Sequence, residues 1–349
     1  MTAIKSRTFG TTKNGQVVTA FEMNNGTICI TILDYGCTIQ SITILDKNNE
    51  LKDICLGYND ISSYERGSSN YGAVVGRFAN RIGGARFTID GNEYLLEKTL
   101  GENNHVHGVF SKRLFNAEIQ GEKLVLRYLS PDMEEGYPGN LNLEVTFHLN
   151  EKNELEISYV ATTDAPTIVN LTNHCYFNLN GQDNSTILDH AIKLNCSYYT
   201  EYNEDFSQTG RIISVDNTPL DFRKEHSFGE RFNSDYHQFR ICTGYDHNLI
   251  IDGQENELKY VGSCRSDKTG IYLEMYTTEP AIQLYSGNFI MYDAVEKGKG
   301  DFKYMKNGAF CFEAQHYSDS PRHAHFPNVV LRPNEKYTQK TIYKFGVNK

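Results

Sequence analysis

The chain has 349 residues, of which 39% are hydrophobic and 12% aromatic, so it can bury a substantial core and is not intrinsically disordered. Its net charge of −10 and the lack of a basic stripe argue against nucleic acid or anionic membranes as partners. The N-terminus has no signal-peptide core, and no apolar run reaches the roughly eighteen residues of a membrane span, so we expect a soluble, cytoplasmic protein.

The predicted elements are almost all β-strands. Alternating apolar residues separated by Asn, Asp and Gly turns are typical of hairpins, and the turns at 24–26 and 90–91 are clear examples. One helical turn is predicted at 61–66, and 103–108 (N-N-H-V-H-G) is predicted to be a polar loop. The predicted strands are 28–32, 38–45, 87–89, 94–96, 124–128, 143–149, 155–161, 172–179, 190–196, 249–251, 272–275, 280–285, 310–315 and 337–345.

This pattern predicts an all-β protein, either a sandwich or a barrel. Strands are short and closely spaced, and few alternate with helices, which disfavours a parallel α/β sheet. No repeat, low-complexity linker or shift in composition divides the chain. We therefore expect a single large β domain over residues 1–349.

Cysteine usage indicates buried free thiols in a reducing compartment. None of the eight cysteines forms a C-x-x-C pair, and most lie in apolar, strand-like runs. Neither a disulfide framework nor a zinc site is expected from this pattern. The cysteines are Cys29, Cys37, Cys55, Cys175, Cys196, Cys242, Cys264 and Cys311.

The stretch Thr172–Leu179 (T-N-H-C-Y-F-N-L) is the most informative predicted strand. Alternation places His174 and Tyr176 on one polar face and leaves a largely apolar face for the core. The polar face has no Lys or Glu, which suits the wall of a cleft. The alternative interpretation is that His174 is a core residue with a single hydrogen-bonding neighbour.

Glu313 and Gln283 are polar residues within apolar strands. In F-C-F-E-A-Q, alternation puts Glu313 on one face with Cys311 and Gln315, and the two phenylalanines on the other. Burying an ionised carboxylate is costly without partners, so either Glu313 has a hydrogen-bonding purpose or its face of an edge strand is in water. The same argument applies more weakly to Gln283, because an uncharged amide costs less to bury than a carboxylate.

The remaining candidates lie in turns and loops, where each has an ordinary alternative. Asp246 could bond its own turn backbone, His107 could be solvated, and Asn80 with Arg81 could form surface ion pairs. The cluster Arg322, His323 and His325 resembles a metal or phosphate site, but the spacing fits no standard zinc pattern and a solvated loop is the simpler interpretation. No metal site is predicted.

Together these residues favour acid–base chemistry on a neutral, polyhydroxylated ligand. The set combines imidazole, carboxylate, amide and guanidinium groups, and a His facing a Glu could move protons without a covalent intermediate. The sequence shows no nucleophilic Ser or Cys motif, no phosphate-cradling loop and no dinucleotide fingerprint. No cofactor is therefore expected.

Seven segments, in order, resemble the aldose 1-epimerase (galactose mutarotase) family. Each is weak alone, but together they span roughly residues 25–335 in family order. The segments are G-R-F-A-N-R-I from Gly76, N-H-V-H-G from Asn104, T-N-H-C-Y-F-N-L from Thr172, T-P-L-D-F-R from Thr218, G-Y-D-H-N from Gly244, T-E-P-A-I-Q-L-Y-S-G-N from Thr278 and F-C-F-E-A-Q from Phe310.

The resemblance implies a large, mostly antiparallel β-sandwich with few short helices, and a cleft in which a free hexose changes anomer. By matching position, Glu313 would take the proton of the C1 hydroxyl, His174 would protonate the ring oxygen, and His107 would assist there. The residues implied to hold the other hydroxyls are Asn80, Arg81, Asp246 and Gln283. Galactose and glucose both remain candidate substrates, because their hydroxyls call for the same residue types.

The chain departs from the family pattern in two places. Val109 follows Gly108 where the family often has a second glycine, and the segment after Gln315 is unusually basic. The second departure leaves a phosphorylated hexose open as substrate, with Arg322 as its anchor. Two other rivals are a non-catalytic sugar-binding sandwich and a glycoside hydrolase that uses Glu313 and Asp246 as its carboxylate pair.

The implied mechanism requires one proton to leave O1 while another reaches O5. Ring closure on the other carbonyl face, after rotation about C1–C2, then gives the other anomer. We expect Glu313 to be ionised and His174 protonated in the starting complex, and the pH profile to be bell-shaped.

Overall fold

The computed structural model describes residues 2–184, 186–232, 235–254 and 257–348. Over these residues the helices are α1 (Ile61–Arg66) and α2 (His237–Cys242), alongside isolated 3₁₀ turns. The strands are β1 (Ala3–Thr11), β2 (Val17–Asn24), β3 (Ile28–Leu33), β4 (Thr38–Leu45), β5 (Leu51–Asp53), β6 (Val74–Val75), β7 (Arg81–Ile82), β8 (Arg86–Ile89), β9 (Asn92–Leu95), β10 (His105–Val106), β11 (Asn116–Gln120), β12 (Lys123–Ser130), β13 (Leu141–Leu149), β14 (Glu154–Thr163), β15 (Thr167–Ile168), β16 (Thr172–Asn173), β17 (Ala191–Leu194), β18 (Cys196–Tyr202), β19 (Gln208–Ser214), β20 (His226–Ser227), β21 (Asp246–Ile251), β22 (Lys259–Arg265), β23 (Ile271–Thr277), β24 (Ala281–Tyr285), β25 (Cys311–Gln315), β26 (Val330–Leu331) and β27 (Tyr337–Val347).

Three antiparallel sheets contain most of the strands. A nine-stranded sheet has the order β11-β12-β13-β14-β27-β23-β22-β17-β20, and two five-stranded sheets have the orders β1-β2-β3-β4-β5 and β19-β18-β21-β24-β25. Strand β13 shows why the large sheet has one inner face, because every second side chain from Leu141 to Leu149 is buried. The all-β, mostly antiparallel prediction is confirmed.

One hydrophobic core joins the inner faces of these sheets. Ile30 of β3, Val145 of β13 and Phe312 of β25 belong to the same cluster of buried side chains, and each is fully inaccessible to solvent. The inner face of the nine-stranded sheet therefore shares its core with both five-stranded sheets, which is the arrangement of a sandwich.

Strands β24 and β25 of the third sheet are covered on both faces. All five residues of each of these two strands are buried. Phe310, Phe312 and Ala314 point into the core as alternation predicts, and Glu313 points to the opposite face. Strand β25 is the edge of its sheet, but Glu313 is only 1% exposed, which excludes the alternative of an edge face in water.

The predicted strand at 172–179 is shorter than expected. Only Thr172–Asn173 forms a strand, because the following amides bond to separate segments instead of one ladder: His174 to Ala73 at 2.8 Å and Phe177 to Phe310 at 2.7 Å. The predicted facing still holds, since Cys175, Phe177 and Leu179 lie in the core and His174 and Tyr176 line the opposite side. The predicted polar loop at 103–108 also contains the two-residue strand β10.

All eight cysteines are free, and all but Cys29 are buried, which confirms the predicted thiols. Among the described residues no helix is long and apolar enough to cross a membrane.

Candidate active site

A cavity of about 200 Å³ opens on the outer face of the β21-β24-β25 sheet. This volume is small among ligand sites and suits one compact molecule. All seven residues singled out from the sequence line it, together with side chains from three loops. The lining residues are Ser68, Ser69, Asn70, Asn80, Arg81, Leu100, Val106, His107, His174, Tyr176, Asp246, Gln283, Tyr285, Phe289 and Glu313.

Asn80 and His107 are placed by the pairing of β7 with β10. The two strands pair Arg81 with Val106, so the residues just outside the ladder face each other. The His107 amide donates to the Asn80 carbonyl at 3.1 Å, and the Asn80 amide donates to Nδ1 of His107 at 3.2 Å. Both residues have left-handed backbones, with φ near 67° and 65°, a conformation that non-glycine residues adopt mainly where the surroundings enforce it.

Gly108 is required where it stands. Its φ is +64°, and a Cβ there would lie 2.2 Å from the carbonyl oxygen of Gly76. Val109 has a φ of −108°, which any residue can adopt, so the departure from a double glycine places no strain on the loop.

His174 is held by contacts of both its backbone and its ring. Its amide donates to the Ala73 carbonyl, directly after the short strand β16. The ring stacks on Tyr176 with a centroid distance of 4.8 Å and an interplanar angle of 9°, and His107 meets it edge-on at 5.1 Å. Its Nε2 atom faces Oε2 of Glu313 at 3.5 Å. The imidazole therefore has little freedom to tilt.

Arg81, Asp246 and Gln283 form a buried polar network on one wall. Arg81 Nη2 donates to Asp246 Oδ2 at 2.9 Å, and Gln283 Nε2 donates to Asp246 Oδ1 at 2.5 Å. Tyr202 completes the network, since its hydroxyl accepts from Arg81 at 3.0 Å. Asp246 is thus neutralised by a cation and does not simply bond its own turn, which was the alternative considered from the sequence.

Glu313 is the carboxyl group in the cavity without a cationic partner of this kind. Its Oε2 atom is buried and has no hydrogen-bond partner among the described residues. Burial, with the charge of Asp246 adding to it, raises the pKa of Glu313 well above its usual value. Burial also lowers the pKa of His174 to about 4 and that of His107 well below its usual value.

These shifts oppose, in the protein without ligand, the charge states that the sequence analysis expects for the complex with sugar. In the protein without ligand, burial favours the protonated carboxyl of Glu313 and the neutral imidazole of His174, because removal from water disfavours both charged forms. The facing atoms, Nε2 of His174 and Oε2 of Glu313, lie 3.5 Å apart. The sequence could not predict this, since burial decides the direction of each shift.

His107, His174 and Glu313 also satisfy the spacing of a metal triad, with one ligand atom each within 4.8 Å of the others. The hydrogen bond from Asn80 argues against that use. A neutral imidazole has a single lone pair, and the Asn80 amide points at it on Nδ1. His107 must then carry its proton on Nε2, where it acts as a donor and not as a ligand.

The cluster Arg322, His323 and His325 lies outside the cavity. Arg322 is exposed and pairs with buried Asp319 at 3.2 Å, and His325 contacts the carbonyl of Gly210 at 2.7 Å. These contacts fit the surface loop predicted from the sequence and leave Arg322 away from the residues that line the cleft.

Several lining residues were not predicted. Tyr285 lies two positions from Gln283 on β24, so strand alternation could have identified it. Ser68, Ser69 and Phe289 come from loops, and no local pattern in the sequence marks them.

Comparison with known proteins places this geometry in context. The aldose 1-epimerase family model matches residues 19–344. The chain is 36% identical to galactose mutarotase from Rattus norvegicus, covering 99% of this chain and 100% of that protein, and 33% identical to aldose 1-epimerase from Escherichia coli K12, covering 92% and 93%. A crystal structure of an aldose epimerase homologue from C. elegans superposes with a TM-score of 0.84 at 28% identity over the full length of both chains.

Proposed function

The chain belongs to the aldose 1-epimerase family, and we propose that its cleft interconverts the α and β anomers of a free hexose by acid–base ring opening. It is an isomerase, and the hexose is its substrate class. One observation carries the assignment of the site: a buried carboxyl and a buried imidazole face each other at 3.5 Å in a cavity sized for a small ligand.

We assign the chemistry to Glu313 and His174. With the sugar bound, the proton of Glu313 moves to Nε2 of His174, leaving Glu313 as a carboxylate. Glu313 then takes the O1 proton while His174 gives its proton to O5, so the C1–O5 bond breaks and a C1 carbonyl forms. After rotation about C1–C2, O5 attacks the other carbonyl face and both proton transfers run in reverse. Each positioned group of this type contributes roughly 10²–10⁴-fold.

The other residues bind and orient in this proposal. The donor on His107 Nε2 assists at the ring oxygen, since the Asn80 amide fixes that tautomer. Arg81, Asp246, Gln283 and Asn80 present charged and amide groups to the remaining hydroxyls. Because Arg81 and Asp246 already neutralise each other, the wall suits an uncharged ligand.

The same contacts disfavour the rivals. A glycoside hydrolase needs a second carboxyl able to act as acid or nucleophile, but Asp246 is held by Arg81 and Gln283. A 6-phosphate would need a cation beside the cleft, and Arg322 pairs with Asp319 elsewhere.

Optical rotation tests the proposal. Freshly dissolved α-galactose and α-glucose should approach anomeric equilibrium faster with the protein than without it, and comparison of the two sugars gives the preference. A rate equal to that of buffer for both sugars would refute the function.

A further inference from the structure

One strand contacts both nitrogen atoms of the His174 ring. Cys311 and Glu313 lie two residues apart on β25 and share its outer face. Nε2 of His174 faces Glu313 at 3.5 Å, and Nδ1 lies 3.6 Å from the Cys311 sulfur, within hydrogen-bond range for a thiol. Cys311 is fully buried, so water does not compete for this contact.

The contact with sulfur decides which way the ring faces. Stacking on Tyr176 keeps the imidazole in one plane but does not distinguish a ring flipped by half a turn. After such a flip a carbon atom would face the sulfur and a carbon atom would face Glu313. Only the observed orientation pairs both nitrogens with polar atoms.

We propose that Cys311 is a positioning residue for ring opening, whose sulfur accepts the Nδ1 hydrogen of His174 so that Nε2 is the nitrogen that exchanges a proton with Glu313 and the sugar. The inference rests on the proposed function. The assignment of the donor follows from the chemistry of the site: Nε2 must present its lone pair to the proton of Glu313, which leaves the ring hydrogen on Nδ1.

A thiol is well matched to this position. Burial raises the pKa of Cys311 well above its usual value, so the sulfur stays neutral. A neutral, weak acceptor orients the imidazolium without stabilising its charge, as a carboxylate would do. His174 therefore remains a strong acid, which the weakly basic ring oxygen requires. The charged and titratable groups facing His174 are Glu313, Cys311, His107, Asp246, Arg81, Tyr176 and Tyr285.

The test compares Cys311→Ala, which removes the acceptor, with Cys311→Ser, which keeps one. We expect Cys311→Ala to lower kcat about 10- to 100-fold with KM changed less than about threefold, the scale of one hydrogen bond to a charged group. Cys311→Ser should recover most of that loss. Cys264→Ala, which removes a buried thiol from β22 in the core, is the matched control and should keep the wild-type kcat.

A second measurement determines the tautomer of the His174 ring directly. The ¹⁵N chemical shifts of His174 in the wild-type protein should show hydrogen on Nδ1, and Cys311→Ala should shift the tautomer balance. A wild-type ring with its hydrogen on Nε2, or an Ala variant with both kcat and tautomer unchanged, would overturn the proposal. Loss of the proposed function is distinguishable, because the wild-type protein would then lack mutarotase activity while the ¹⁵N spectrum still reports the contact.

Discussion

Replacing Glu313 with Gln is the most direct test of the proposed chemistry. The amide has nearly the same shape as the carboxyl and occupies a site where burial favours the uncharged carboxyl and Oε2 has no hydrogen-bond partner among the described residues, so the fold should tolerate it. The amide cannot accept the O1 proton. We therefore expect kcat to fall about 10²–10⁴-fold, the contribution of one positioned acid–base group.

The same substitution should alter how stability depends on pH. Burial raises the folded-state pKa of Glu313 above its ordinary value of 4.5. A carboxyl with a raised folded pKa contributes stability that is present below the unfolded pKa and lost as pH rises through the folded pKa, at about 1.4 kcal/mol per pKa unit. Glu313→Gln has no such loss, so its stability relative to wild type should increase as the pH rises above the unfolded-state value of 4.5.

Polarimetry and thermal unfolding at several pH values measure the two effects on the same samples. Glu279→Gln is the matched control, because Glu279 is also buried at 2% exposure but pairs with His316 at 2.6 Å outside the catalytic cavity. That control should keep the wild-type rate. A folded Glu313→Gln variant with more than about a tenth of wild-type kcat would refute the role of the carboxyl as base.

Three further predictions follow from the cleft. Arg81→Ala should raise KM more than it lowers kcat and cost about 3–5 kcal/mol of unfolding free energy, because it leaves the buried Asp246 carboxylate unpaired; an unchanged KM would contradict this. The pH profile of kcat/KM should be bell-shaped. The rate should fall on the acid side near the pKa of His174, about 4, and on the alkaline side as Glu313 loses its proton. A profile with no alkaline fall would count against the Glu313–His174 pair. Arg322→Ala should leave the ratio of rates on free and 6-phosphorylated hexose unchanged, since Arg322 is ion-paired away from the cleft; a selective loss on the phosphorylated sugar would restore it as an anchor.

Strand alternation predicted an all-β protein because it is a local property, and the family resemblance implied a sandwich. In F-C-F-E-A-Q it assigned Phe312 to the core and Glu313 to the opposite face, and both assignments are correct. It also placed His174 correctly, even though the strand directly before it is only two residues long. The direction in which a side chain points depends on its neighbours in sequence. The length of a strand depends on which distant segment pairs with its backbone.

The cavity itself could be approached from the sequence only through the family resemblance. Nothing local indicates that His107 adopts a left-handed backbone or that the Asn80 amide fixes its tautomer. The loop residues Ser68 and Phe289 follow no periodicity that would assign them to the same wall as Glu313.

By itself, then, the chain order of polar and apolar residues determined the strands, their buried faces and the side chains available for chemistry. The tertiary structure alone decided which of those side chains meet and in what charge state. Glu313 and His174 come from separate segments, and it is their common removal from water that favours the protonated carboxyl and the neutral imidazole. Burial and long-range contact are properties of the assembled molecule, so no stretch of sequence carries them.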